Sequence, residues 1–98
     1  MKLQVKSVHF DADQKLLLFI QERMDKLDHF YTDIIHGEVS LRVENSSDPE
    51  NKYVQIRLNV PGNDIVAREQ CKTFEEATDL VVDALLKQIQ KHKEKIRS

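Results

Sequence analysis

The spacing of apolar residues changes from two to about 3.6, returns to two for three successive segments, and ends at 3.6. That order leaves few folds open. Residues 2–9 alternate, with Leu3 and Val5 on one face, Ser7 in phase with them, and Lys2, Gln4 and Lys6 on the other. Asp13 offers an N-cap to a helix in which Leu17, Ile20, Met24, Leu27 and Tyr31 recur at steps of three and four. Leu18 falls on the solvent side of that helix. From Glu38 to Glu44, Val39, Leu41 and Val43 alternate with polar residues, and Asn45 to Asn51 is turn chemistry. Its Asn45-Ser46-Ser47 sequon reads as a polar loop. Val54, Ile56, Leu58 and Val60 form the next alternation, and Pro61-Gly62-Asn63-Asp64 makes a tight connection. The last strand, Ile65 to Cys71, buries Ile65 and Ala67 and carries Glu69 as a discordant polar position. Thr73 then opens a final helix, with Glu76 three residues on completing a capping box.

A strand, a helix, three strands and a helix, each with one apolar face, predict a two-layer α+β domain. The layout is β-α-β-β-β-α: a four-stranded sheet with both helices on one face, like a double-stranded-RNA-binding domain. The helical crossover makes the first two strands parallel, and the short turns make the last three an antiparallel meander. Ninety-eight residues suffice for one such domain, 1–98.

The composition narrows the chemistry. The longest apolar run is Leu16 to Ile20, too short to span a membrane, and the chain opens without a signal-peptide h-region. The single cysteine, Cys71, excludes an intramolecular disulfide and fits a cytoplasmic protein. Two glycines, Gly37 and Gly62, cannot build a phosphate-cradling loop. The serines at 7, 40, 46, 47 and 98 form no nucleophile elbow, and His9, His29, His36 and His92 lack metal-ligand spacing. Asp11/Asp13 and Glu75/Glu76 sit at helix starts, where capping accounts for them. The expectation is a protein that is not an enzyme, with no cofactor, metal, membrane or small-molecule substrate.

What the chain does carry is a sign change along its last helix. Glu75, Glu76, Asp79 and Asp83 are the only charges before Leu86; Lys87, Lys91, Lys93, Lys95 and Arg97 follow, with Glu94 the only acid among them. The helix dipole favours this polarity, but its effect fades within one turn and the basic block spans about three. On a chain of net charge −2, this block points to a polyanion. Lys87, Lys91 and Lys95 share a stripe, with Lys93 and Arg97 on the adjacent one. In the first helix Arg23 and Lys26 flank the apolar face beside Phe19 and Phe30, and can join the stripe across the gap between helices. Arg42, Arg57 and Arg68 on the open sheet face share it with Glu38 and Glu44 and read as ordinary solvated surface. The strands show no exposed aromatic pattern for base stacking, so contact through phosphates and shape is expected.

Lys26-Leu27-Asp28-His29-Phe30, Ala77-Thr78-Asp79 and Lys87-Gln88-Ile89-Gln90-Lys91-His92-Lys93, in this order of elements, make the chain similar to a known family. It resembles the short form of the ribosome hibernation-promoting factor and ribosome-associated inhibitor family, also labelled sigma-54 modulation protein. The resemblance covers essentially the whole chain. It implies a translation inhibitor that binds the small (30S) ribosomal subunit and its 16S rRNA in the A/P-site channel for messenger and tRNA, under stress or in stationary phase. It also implies that Arg23, Lys26, Lys87, Lys91, Lys93 and Lys95 contact rRNA. Where relatives commonly have a lysine one turn before Lys87, this chain has Ala84. It stops at Ser98 without the long form's C-terminal dimerisation domain, so pairing of ribosomes would need a separate factor. The competing reading is a regulatory domain of the sigma-factor modulation type, docking its basic helix end on an acidic protein. An acylphosphatase-like enzyme would need its second helix between the third and fourth strands, and a phosphate loop.

Overall fold

The computed structural model describes residues 1–8, 10–44 and 47–97, the side chains of 96 and 97 excepted. His9, Ser98, the Asn45-Ser46 part of the turn and the side chain of Arg97 lie outside the described residues. The first alternation becomes β1 (Lys2–Val8). Asp13 caps α1 (Gln14–Phe30), its carboxylate accepting from the Leu16 amide at 2.8 Å. β2 (His36–Val43), β3 (Lys52–Val60) and β4 (Asn63–Cys71) follow. Thr73 Oγ1 accepts from the Glu76 amide at 3.0 Å where α2 (Phe74–Arg97) begins. The sheet runs β1-β2-β3-β4, with the first pair parallel and the other two antiparallel, as the connections predict.

Local chemistry moves several boundaries. The buried stripe of α1 is Leu16, Ile20, Met24 and Leu27, continued by Tyr31; Leu17 is only half-buried, one residue round toward the shoulder. Leu18 is 59% exposed, as its spacing predicts. β2 starts at His36, so Gly37, beyond the helix, lies inside the strand. A Cβ on Gly37 would lie 3.1 Å from Met1 Sδ and 3.3 Å from both Leu58 Cδ2 and Met24 Cε, so this close packing leaves almost no room for a side chain. β4 starts at Asn63 because Pro61-Gly62 alone turns the chain, with Gly62 at φ +79° and Val60 already paired to Asn63. Glu69 keeps the phase of Ile65, Ala67 and Cys71 yet is exposed, on an edge strand where a side chain can lean past the helix layer.

The buried faces of both helices and the inward residues of the strands form one core, in which Ile20, Leu27, Leu41, Ile56, Leu58, Leu85 and Ile89 are fully enclosed. Thr78 is buried as well, its hydroxyl donating to the Phe74 carbonyl at 2.7 Å. Both helices therefore cover one side of the sheet. On the open side Arg42 meets Glu44 at 2.6 Å and Arg57 meets Asp64 at 3.4 Å.

Candidate nucleic-acid interface

α2 is two helices in one. Its inner stripe, Phe74, Ala77, Val81, Leu85 and Ile89, is buried, and its outer shoulder after Leu86 exposes Lys87, Gln88, Gln90, Lys91, Glu94 and Lys95. A step of four residues overshoots one turn by about 40°, so the lysine stripe drifts around the helix. Lys87 faces the end of α1, where Phe30, Leu86, Lys87, Gln90, Lys91 and Glu94 line a shallow groove of about 650 Å³. Lys95 faces β4, lining a smaller hollow of about 200 Å³ with Asn63, Ile65, Gln88, Lys91 and His92. Lys91 stands on the crest between them. Among the described residues neither Lys87 nor Lys91 forms an ion pair.

The remaining cations are held differently. Arg23 Nε donates to Asp79 Oδ1 at 2.7 Å and Nη1 to Glu22 Oε1 at 3.2 Å, with the guanidinium 4.3 Å over the Phe19 ring. Only a quarter of its side chain is exposed. It therefore faces the acidic half of α2, and the structure does not bring it into the lysine stripe. The two contacts, Arg23 with Asp79 and Phe30 beside Leu86 and Lys87, show that α1 and α2 run in the same direction. Lys26, exposed, falls on the stretch between them. Lys93 sets its ammonium 4.7 Å over the Phe30 ring and 6.0 Å from that of Tyr31, fastening the end of α1 to α2. Ala84 is half-buried against the core. With Asp83 and Leu80 exposed above it, the basic surface begins at Lys87.

Beneath this surface, Tyr31 and His92 meet edge to face, centroids 6.0 Å apart and planes at 81°. Tyr31 Oη and His92 Nε2 are both buried without a hydrogen-bond partner among the described residues. Burial, and secondarily the Asp33 charge, pushes the Tyr31 hydroxyl up from its ordinary value. A buried hydroxyl without a partner is a liability that its removal relieves. Tyr31→Phe is expected to stabilise the fold by about 1 kcal/mol, raising the melting temperature by roughly 4–8 °C. A lower melting temperature would mean that the hydroxyl is bonded through solvent. Cys71 is buried too; desolvation, then the charges of Glu76, Glu69 and Glu50, raise its thiol and leave little thiolate.

A model of the family described as Sigma 54 modulation protein / S30EA ribosomal protein matches residues 3–97. A ribosome hibernation promoting factor of Pseudomonas putida is 26% identical over 98 residues, covering 100% of this chain and 92% of that protein. A ribosome hibernation promotion factor of Deinococcus radiodurans is 28% identical over 91 residues, 92% of this chain and 48% of its own. A ribosomal subunit interface protein from Coxiella burnetii superposes with a TM-score of 0.85 at 18% identity, covering 96% of this chain and 99% of that one, a likeness of fold.

Proposed function

The chain belongs to the Sigma 54 modulation protein / S30EA ribosomal protein family, and from that membership we propose that it is a ribosome-associated hibernation factor acting in the cytoplasm. It binds the small (30S) subunit through 16S rRNA in the A/P-site channel and stops translation by occupying the space of messenger and tRNA. The observation that carries this reading is the pair Lys87 and Lys91, exposed, without a carboxylate partner among the described residues, and set beside an open groove. Free ammonium groups on a rigid helix neutralise phosphates without first giving up an internal ion pair. Lys26 and Lys95 extend the contact to either side. Arg23 and Lys93 are assigned the same role from side chains that already hold Asp79 and Phe30. The activity is occupancy rather than bond chemistry.

Sedimentation with separated ribosomal subunits tests the proposal. The protein is expected to travel with the small subunit and not with the large one, and to be displaced by tRNA bound at the P site. Migration free of the small subunit at low salt would overturn it.

A further inference from the structure

Each phenylalanine and tyrosine ring of this chain has an internal partner, but one of them remains open. Phe10 stacks on Phe74 at 4.9 Å, Phe19 lies under Arg23, Tyr53 lies under Arg42 at 4.4 Å, and Tyr31 meets His92. Phe30 carries Lys93 at 4.7 Å and is still 42% exposed. Single exposed apolar residues are common and need no function; Leu18, Ile35, Val66 and Leu80 are exposed in the same way. What separates Phe30 from them is its surroundings. Its ring and Leu86 form the apolar part of the 650 Å³ groove, and Lys87, Gln90, Lys91 and Glu94 line the rest. A second hollow joins Phe30 to Gln90, Lys93 and Glu94. Three lysines and one acid thus surround a single exposed aromatic.

The geometry points to a nucleobase-stacking site: Phe30 receives one unstacked base of the bound RNA while Lys87 and Lys91 hold the phosphates beside it. This deepens the rRNA reading above and rests on it. The volume suits one small planar ligand. Lys87 and Lys91 stand about 6 Å apart along the helix, so both reach the backbone on either side of one nucleotide. The Gln90 amide can donate to and accept from the edge of the base. The Lys93 ammonium over Phe30 fixes the ring without covering it, so the platform is set before the ligand arrives. Stacking then takes place on the helix layer rather than on the open sheet. An apolar side chain of a protein partner would fill the same groove, but the surrounding lysines would then require acids from that partner.

The test uses the full chain and purified small ribosomal subunits, with Phe30→Leu and Phe30→Trp. Phe30→Leu keeps apolar volume and removes the π face. It is expected to weaken binding about tenfold while leaving the salt slope unchanged, because no phosphate contact is lost, and to lower the melting temperature by a few degrees at most, through the lost Lys93 contact. Phe30→Trp should bind at least as tightly as the wild type. Chemical probing of base edges should show one rRNA base altered by the wild type and Phe30→Trp and restored with Phe30→Leu. Equal binding by Phe30→Leu would overturn the stacking site. Weaker binding with no base altered would overturn it in favour of a ribosomal protein in the groove. Failure of the wild type to bind would instead overturn the rRNA reading itself.

Discussion

Reversing two charges together, Lys87→Glu and Lys91→Glu, is expected to weaken binding to the small subunit by about a hundredfold or more. Each lysine removed deletes a charge-assisted contact of about 1.5–3 kcal/mol, and each glutamate adds repulsion from the same phosphate. The slope of log affinity against log salt should become shallower by about 1.5, the share of two phosphate contacts. Both side chains are exposed and form no ion pair among the described residues, so the fold should hardly notice, with a stability change within about 0.5 kcal/mol for each. This separates polyanion binding from service to the helix dipole. Lys87 lies about three turns before the end of α2 at Arg97, beyond the reach of that dipole. If the block served only the dipole, the double variant would melt earlier and bind as before. Sedimentation and thermal melting on one preparation read both quantities.

Leu85→Ala is expected to have the largest effect on the fold itself. Leu85 is fully enclosed in the layer between α2 and the sheet, and truncating such a side chain costs about 2–5 kcal/mol in lost burial and residual cavity. A domain of this size has only about 5–15 kcal/mol to lose. The melting temperature should fall by roughly 10 °C or more, whereas Leu18→Ala at 59% exposure should move it little. Binding by Leu85→Ala should drop with the folded fraction at high temperature, while the salt slope stays that of the wild type. Thermal melts followed by binding at two temperatures check both statements. A slope that changed with Leu85 would mean that the lysine surface depends on more than the exposed shoulder of α2.

The architecture was legible because each segment keeps one period and one apolar face. Boundaries were less so. A two-residue loop at Pro61-Gly62 lets β4 pair from Asn63 at once, and Gly37 has no side chain to show that it faces the core. The lysine stripe was legible too, because steps of four need no tertiary information. The company of each cation was not. Arg23 looked like a partner of the stripe, yet it holds Asp79. The signal existed: three strands between two helices on one layer make those helices run the same way. That sets the acidic start of α2 beside the middle of α1, and its basic end beside Phe30. Nor did the sequence distinguish Phe30 from Phe19. Both lie on one shoulder of α1, and only the packing of Arg23 over one ring and Lys93 over the other tells which stays open.

The most direct test of the central claim is the affinity of the wild-type chain for purified small subunits, measured from about 50 to 200 mM salt. Contacts from Arg23, Lys26, Lys87, Lys91, Lys93 and Lys95 predict a log–log slope of about −4 to −5, with the double reversal at Lys87 and Lys91 making it shallower by about 1.5. A slope near zero, or one unchanged by the double reversal, would contradict the account and remove the lysine stripe as the surface that holds RNA.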